Sequence, residues 1–551
     1  MNEDIVNRKQ TQWFDDFYAF QKGAYFEILK SSCDWLIKQD VEDIKNIAKS
    51  ITPTATNSGT ASLGRVINQL TELEDAIKIA GDVRKQEVED IIKAHVRILL
   101  RTDSGFLKEL QTQSEKIQKE ISERQHSADD VSRDSELEDE SPAGSATRKA
   151  PQLLVNAIQA YASARVRSRK LSARSFNGQI IEWIGKSKLP DEATLKILGQ
   201  KLEERRNLRP LHRCAEKYVR FSRQIFNRYR KNRVDLGKWY TAMPLKTSQV
   251  HSSEVDLILL AMFRSNTYVL NNLVRNVAVQ VKNSGMIGIM SSMYKAQVLI
   301  DEATDFSAVQ LAIMYELSDP ALRSIFLSGD FNQRLTKVGV KNEEELKWAI
   351  PEIVQHPIAI AYRQTNRLKE LSQAIVELDG GSVVKLDSPE GFNDADIKPA
   401  LGENLQTIDS MSQWLADRIF EIDRLRGSES RPTIALLVNN DDEARALSRT
   451  LSEKLIDINI EAVACVDGAS IGDDNDVRIY DKKYIKGLEF EAVFFVGFDE
   501  LEMQSKELFL KYLYVGSSRA ATFFAMTSKY QMPKILAPIL GHFSQDWKNR
   551  I

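Results

Sequence analysis

Long apolar runs are missing from this sequence. No stretch approaches the roughly 18 uncharged apolar residues that a membrane-spanning helix needs, so the sequence predicts no membrane span. The first residues, Met1-Asn2-Glu3-Asp4, also lack the basic start and the apolar run of a secretory signal. Both absences favour a protein of the cytoplasm.

Cysteine is scarce as well. Cys33, Cys214 and Cys465 are the only three in 551 residues, and they lie far apart in the sequence. Their spacing fits neither a disulfide framework nor a zinc knuckle. We therefore expect buried thiols in a reducing compartment.

The net charge of −3 hides an uneven distribution. Residues 151–250 contain 22 Lys and Arg against 7 Asp and Glu, so the rest of the chain is acidic. This asymmetry favours a polyanion-binding face on one domain rather than a generally basic protein.

Apolar spacing and composition divide the chain into five segments. Val66, Leu70, Leu73, Ile77 and Ala80 repeat at heptad spacing, which indicates helical hairpins with coiled-coil character. We expect a loop at 53–64 and a break at Gly81-Asp82. Residues 126–150 are acidic and Ser-rich, so they are typical of a disordered linker. The predicted segments are a helical region (1–125), the linker (126–150), a basic helical nucleic-acid-binding region (151–285) and two α/β domains (286–400 and 401–551).

The α/β domains are predicted from short apolar runs that alternate with helical stretches. Such runs occur at 298–300, 325–327, 434–438 and 492–496. Continuous apolar strands are typical of parallel sheets that helices cover on both faces. The predicted fold class is therefore α/β plus α, with two parallel-sheet domains that follow a large helical region.

Acidic and amide side chains follow the first two of these strands. Asp301 and Glu302 end the run VLIDE, where a parallel sheet presents its ligand-binding edge. One carboxylate there can hold Mg²⁺ and the next can polarise an attacking water. Asp330 and Gln333 follow the second strand in GDFNQ, where an amide can sense a γ-phosphate and where we expect Asp330 to bind the nucleotide.

Three further motifs come later in the chain. AYRQTNRL offers Arg363 as a phosphate clamp, and YIKGLEF places Gly487 and Glu489 directly before a buried strand. YLYVGSSRA ends on Arg519, a second candidate phosphate contact.

In this order, DEATDF, GDFNQ, YRQT, KGLEF and YVGSSRA resemble motifs II to VI of the UvrD/Rep-type superfamily 1 helicases. The resemblance covers about 296–525 and implies two RecA-like domains that hydrolyse ATP with Mg²⁺ while moving 3′–5′ along DNA. It implies that Asp301 binds Mg²⁺, that Glu302 is the general base and that Glu489 contacts the ribose. It also implies that Gln333, Arg363 and Arg519 contact the γ-phosphate.

The sequence departs from the family at several positions. Thr304 stands where the family's motif II has glutamine, and Arg334-Leu335-Thr336 replace an aromatic that stacks on a base. Asp481 and Lys483 occupy the usual threonine and histidine positions before KGLEF.

The largest departure is the missing phosphate loop, since G-x-x-x-x-G-K-[ST] occurs nowhere in the sequence. One near-match runs from Gly59 to Val66, with Arg65 in place of lysine, and another runs from Gly178 to Ser187. Three explanations stay open: a divergent N-terminal segment, a partner chain that supplies the loop, or a rebuilt sheet.

The basic region centres on residues 201–233, where aromatic and basic side chains alternate. Helical spacing places Tyr218, Phe221, Ile225 and Tyr229 on one stripe, which we interpret as core. The nucleic-acid contacts predicted on the other faces are Arg213, Arg220, Arg223, Arg228, Arg230 and Lys231.

Three functions therefore compete. The first is a nucleic-acid-dependent ATPase, a DNA helicase or translocase. The second is a non-hydrolysing helicase-like module that binds DNA, RNA or a partner enzyme. The third is a coiled-coil scaffold with an incidental α/β part.

Overall fold

In a computed structural model, the chain divides into two compact units, Met1–Tyr294 and Lys295–Ile551. The division falls nine residues after the predicted boundary at 285/286. The structure describes residues 10–39, 41–55, 60–103, 105–125, 150–237, 249–273, 285–336, 338–358, 364–381, 397–426, 432–469, 472–473, 475–504, 506 and 508–548. The predicted acidic linker lies almost entirely outside these residues, so it stays a prediction.

The described residues of the first unit form helices and the turns that connect them. None of the described helices combines the length and the apolar composition that a bilayer crossing requires. The helices are α1 (Gln10–Ile37), α2 (Glu42–Ala55), α3 (Thr60–Glu72), α4 (Glu74–Thr102), α5 (Phe106–Gln125), α6 (Ala150–Val166), α7 (Phe176–Ile184), α8 (Glu192–Leu208), α9 (Cys214–Asp235), α10 (Ser252–Asn272) and α11 (Gly285–Ser292).

Aromatic side chains join α1 to α9. The ring of Phe17 lies 5.0 Å from that of Phe226, and the rings of Tyr25 and Tyr218 are 5.2 Å apart. Tyr218, Phe221, Ile225 and Tyr229 are all buried, so the predicted apolar stripe is confirmed as core. Burial of such large side chains is the main contribution to holding these helices together.

Two predictions for the N-terminal helices are wrong. A break was predicted at Gly81, but α4 continues through this residue. The helical run is interrupted instead at Leu73, between α3 and α4. A glycine costs a helix about 1 kcal/mol relative to alanine, but Ile77, Ala80 and Val88 bury one face of α4 on both sides of it. The predicted loop at 53–64 is also shorter, because α2 extends to Ala55 and α3 begins at Thr60.

The second unit contains both sheets. Its strands are β1 (Gln297–Ile300), β2 (Ser324–Leu327), β3 (Ala400–Gly402), β4 (Ile434–Val438), β5 (Ala462–Cys465), β6 (Val477–Asp481), β7 (Phe490–Val496) and β8 (Ala520–Thr527). Its α-helices are α12 (Ala308–Glu316), α13 (Glu343–Ala349), α14 (Asn366–Leu378), α15 (Ile408–Arg426), α16 (Asp441–Lys454), α17 (Phe498–Gln504) and α18 (Phe509–Ser518).

Six strands form one parallel sheet in the order β3-β8-β7-β4-β6-β5. Alternate residues of β4 enter two separate cores: Leu436 packs with residues of α15 and α16, and Leu437 packs with residues of α14 and α18. The prediction of a parallel sheet covered on both faces is confirmed for these strands. The strand β3 begins at Ala400 and pairs with β8, so the sheet starts one residue before the predicted boundary at 400/401.

The other two strands, β1 and β2, form a separate parallel sheet. Leu299 lies opposite Phe326 in its register, and these side chains are 68% and 61% exposed. The expectation of cover on both faces is therefore wrong for this sheet within the described residues. An apolar run in the sequence predicts a strand, but whether that strand is buried depends on which other elements pack against it.

Candidate functional site

The ends of β1 and β2 are tied together beyond the strands themselves. The Ser328 amide donates to the Ile300 carbonyl at 2.9 Å, and the Ala303 amide donates to the Ser328 carbonyl at 2.8 Å. The Thr304 hydroxyl then donates to the Asp330 carbonyl at 3.0 Å. Thr304, a departure from the family sequence, thus joins the two loops that carry the predicted site residues.

Asp301 follows β1 directly and is exposed. Its Oδ1 accepts hydrogen bonds from the Ser328 hydroxyl at 2.5 Å and from the Glu302 amide at 2.9 Å. Donation from Ser328 holds the pKa of the Asp301 carboxyl below its ordinary value, because hydrogen bonds to the charged form stabilise it. The side chain is a carboxylate at neutral pH.

Glu302 has left-handed backbone, with φ of +50°, and precedes a 3-10 turn at Ala303–Asp305. Its carboxylate faces two cations that come from much later in the chain. Lys486 Nζ lies 3.1 Å from Glu302 Oε2, and an Arg519 nitrogen lies 3.8 Å from Oε1. Lys486 also lies 2.8 Å from Asp305, so one buried ammonium serves two carboxylates.

Asp330 is engaged by protein groups on both sides. One oxygen accepts from the Asn332 amide at 2.8 Å and caps a 3-10 turn at Phe331–Gln333, while the other accepts from the Tyr514 hydroxyl at 2.8 Å. Burial and the neighbouring Asp330 charge raise the pKa of the Tyr514 hydroxyl above its ordinary value. Asp330, predicted to bind a cofactor, therefore positions the loop that carries Gln333.

Arg519 follows the last residue of α18 and is 7% exposed. Its side chain donates to Gln333 Oε1, which joins two residues predicted to sense phosphate. Gly516 allows α18 to end against β7, because a Cβ at that position would lie 2.8 Å from the ring of Phe495. The position of Arg519 thus depends on close packing of this helix on the six-stranded sheet.

The cluster carries an excess of negative charge. Asp301, Glu302, Asp305 and Asp330 supply four carboxylates against the two cations Lys486 and Arg519. Within the part of the chain that the structure describes, no three His, Cys, Asp or Glu side chains gather closely enough to hold a metal ion by themselves. Magnesium commonly uses one or two carboxylates and completes its shell with phosphate and water, so the exposed Asp301 fits such an ion bound with a nucleotide.

The other predicted site residues lie either outside this cluster or outside the residues that the structure describes. Gly487 has φ of +82° and, with Glu489, forms the exposed turn between Lys486 and β7. Arg363 lies outside the described residues, so its role stays a prediction. Asp481, which stands at the threonine position of the resembled motif, is buried and lies 2.7 Å from Lys483.

The described part of each near-match lacks the geometry of a phosphate loop, and Gly59 lies outside the described residues. Gly64 lies inside α3, where its amide donates to the Tyr268 hydroxyl at 2.9 Å, and Val66 is buried. Gly178 lies inside α7, close to the Ser172 carbonyl. In both places a helix packs within the first unit, so the idea of a divergent phosphate loop at Gly59–Val66 is not supported.

The first unit carries the predicted basic face on α9. Helical spacing places Arg213, Arg220 and Lys231 on one side, with Arg223 and Arg228 flanking them, and all five are exposed. The row spans about 27 Å at 1.5 Å per residue. Glu216 pairs with both Arg213 and Arg220, at 2.6 Å and 2.7 Å, and leaves a positive balance.

Arg230 does not belong to this face, and its prediction as a nucleic-acid contact is wrong for this conformation. It is 4% exposed and lies 3.2 Å from the fully buried Glu254 at the start of α10. It also donates to the Gln249 carbonyl at 2.9 Å. A guanidinium committed to these partners has a structural role, because freeing it would leave Glu254 buried and uncompensated.

Sequence reasoning missed several residues of the cluster. Lys486 stands directly before the predicted Gly487, and its position in KGLEF was the available signal. Asp305 lies in DEATDF and Tyr514 in YVGSSRA, so both were inside motifs but carried no predicted role. Ser328 gave no signal, because its contact with Asp301 spans 27 positions.

Comparisons with known proteins add little to this geometry. The sequence matches no protein-family model and no curated protein sequence. Among solved structures, the chain is similar to the C-terminal domain of a possible DNA helicase from Lactobacillus plantarum WCFS1. That similarity has a TM-score of 0.26 and 17% identity, and it covers 33% of this chain and 98% of that one. A TM-score this low carries no argument about fold or function, so the case for function rests on the cluster itself.

Proposed function

We propose that the chain is a helicase-like protein of superfamily 1 type that binds Mg–ATP at the cluster around Asp301 and Glu302. Under this proposal β1 and β2 belong to a first RecA-like domain, and the six-stranded sheet is the second. Hydrolysis depends on bound nucleic acid and drives 3′–5′ movement along DNA.

One observation carries the proposal: Glu302, Gln333 and Arg519 meet although more than 200 positions separate the first from the last. Each comes from a motif singled out by sequence. Phosphoryl transfer needs this combination, because negative charge accumulates on the transferred group while a water must lose a proton.

The residues divide the chemistry between them. Asp301 would hold Mg²⁺, which neutralises phosphate charge when it is bound. Glu302 accepts the proton of the attacking water, and Gln333 with Arg519 contacts the γ-phosphate. The contacts of Glu302 with Lys486 and Arg519 must loosen before it can act as a base, since both cations lie against its carboxylate.

The decisive experiment replaces Glu302 with Gln, which keeps the shape of the side chain but removes the proton acceptor. ATP turnover with single-stranded DNA should fall on the order of 10²–10³-fold, while binding of a fluorescent ATP analogue with Mg²⁺ should change little. Glu453→Gln, an exposed acid on α16, is the matched control. Turnover that survives in Glu302→Gln contradicts the role of Glu302, and absence of Mg–ATP binding by the parent chain contradicts the proposal.

A second candidate is a helicase-like module that does not hydrolyse ATP by itself. It is favoured by the absent phosphate loop and by the pairing of Glu302 with Lys486 in this conformation. A P-loop lysine and its amide cradle act on the charge of the transferred group, so their loss costs several kcal/mol of transition-state stabilisation. Binding of Mg–ATP without turnover would select this candidate, and a partner chain that carries the loop should then restore turnover.

The nucleic-acid part of the proposal rests on the basic face of α9. Arg223→Glu combined with Lys231→Glu should weaken binding of a labelled single-stranded oligonucleotide by about tenfold or more at low salt. The slope of log K against log salt should fall by about 0.7 for each lost phosphate contact. The control is Lys93→Glu combined with Lys196→Glu, which makes the same change of charge at exposed positions on other helices of the unit. Equal weakening by both pairs would show that only net charge matters.

A further inference from the structure

In the last turn of α18 the carbonyls lack the usual donors of a continuing helix, and the Arg519 amide donates to those of Gly516 and Ser517. Two carbonyls that flank Arg519 are satisfied by one distant side chain. The amide nitrogen of Gln364 donates to the Ser517 carbonyl at 2.8 Å and to the Ala520 carbonyl at 3.2 Å. Gln364 is 8% exposed, so water does not compete freely for these hydrogen bonds.

Two further contacts tie the same segments together. The Thr365 amide donates to the Ala521 carbonyl at 3.1 Å, and the hydroxyls of Ser372 and Ser517 lie 3.2 Å apart. The backbone of Arg519 itself is held by the Gly516 carbonyl on one side and by the Phe490 amide on the other. The chain on both sides of Arg519 is therefore fixed against the start of α14.

We propose that Gln364 is a positioning residue for Arg519, an inference that rests on the proposed function of Arg519. Gln364 bridges the end of α18 and the start of β8, because its amide donates to one carbonyl in the last turn of the helix and to one in the first residue of the strand. This fixes the point at which the chain leaves the helix, and with it the direction in which the guanidinium reaches Gln333 and Glu302. A side chain in this role needs two hydrogens to donate, and the Gln364 amide supplies both. A Met of similar shape lacks the donors, and a Glu carboxylate would repel the two carbonyls.

The first test needs no nucleotide. The side-chain Nε–H resonance of Arg519 in arginine-labelled protein is identified by its loss in Arg519→Lys. Gln364→Met should shift or broaden this resonance by more than its line width, and Gln413→Met, the same change at an exposed site on α15, should leave it in place. An unchanged resonance in Gln364→Met would overturn the inference.

The second test measures ATP turnover. Gln364→Met should lower kcat by about tenfold with a smaller change in KM, because a misplaced guanidinium loses more in the transition state than in the ground state. In an Arg519→Ala background the same change should have no further effect on kcat. Equal losses in both backgrounds would mean that Gln364 acts independently of Arg519 and would overturn the inference. If the parent chain binds Mg–ATP but shows no turnover, hydrolysis fails as a proposal, and the resonance of Arg519 decides the inference.

Discussion

The two parallel sheets of the second unit start from similar sequences and end in different surroundings. The runs VLI and IFL of β1 and β2 are as apolar as IALLV of β4. Every residue of β4 is buried, whereas Leu299 and Phe326 are mostly exposed. The large sheet packs a core on each face, and the small sheet leaves one register pair in solvent.

The same comparison assigns stability and reactive groups to different parts of the unit. The small sheet ends in the acids Asp301 and Glu302, while the cations Lys486 and Arg519 come from segments that flank strands of the large sheet. We infer that the large sheet carries most of the unit's stability and holds the cations in place. The small sheet contributes acids and little packing energy.

The largest expected effect tests this division with one matched pair. Phe494 lies in β7 and packs on Trp547, and Phe326 lies in β2. Phe494→Ala should lower the free energy of unfolding by about 3–5 kcal/mol, since it removes a buried ring and leaves a cavity. Phe326→Ala should change it by less than about 0.5 kcal/mol. Urea unfolding followed by circular dichroism measures both. A cost of several kcal/mol for Phe326→Ala would mean that its face is covered in solution.

A smaller effect is expected at the contact between acids and cations. Lys486→Met leaves Glu302 and Asp305 without their shared ammonium beside Asp301, so the free energy of unfolding should fall by about 1 kcal/mol. Lys347→Met is the control, because Lys347 pairs with Glu343 on α13 and both side chains are exposed. Urea unfolding at low and high salt compares the two variants. If both lose the same amount, the cluster around Lys486 is no more than a surface ion pair.

The smallest effect concerns acid pH. The pKa of Asp301 is lowered in the folded chain, chiefly by Ser328, so its contribution to stability is present above the ordinary aspartate pKa. That contribution is lost as pH falls through the lowered value. Ser328→Ala should raise the pKa of Asp301 in a carbon-13 carboxyl titration and reduce this loss. Ser324→Ala, at the start of β2, should leave the titration unchanged, and a shift there would point to a general change in the small sheet.

Local patterns in the sequence predicted part of this fold correctly. The spacing of Tyr218, Phe221 and Tyr229 predicted a buried stripe, because one face of an amphipathic helix repeats every three or four residues. The apolar runs before Asp301 and after Glu489 predicted strands, because continuous apolar runs are typical of strands in a covered parallel sheet. The motif order predicted that Gln333 and Arg519 serve one site.

Contacts over long sequence distances could not be predicted in this way. Arg230 has the same type and spacing as its exposed neighbours, and only the position of Glu254 on another helix makes it interior. The exposure of Leu299 depends on what packs against β1, which its own sequence does not encode. Gln364 stands beside a predicted arginine, but its carbonyl partners lie 153 and 156 positions away.

The left-handed backbone of Glu302 has a consequence for anyone who engineers this protein. A residue with a side chain in that conformation costs roughly 1–2 kcal/mol, and glycine adopts it without strain. Variants at position 302 that are selected for thermal stability should therefore favour Gly and lose the carboxylate. Stability screens and activity screens at this position should select opposite residues, as expected where a fold accepts strain to present a reactive group.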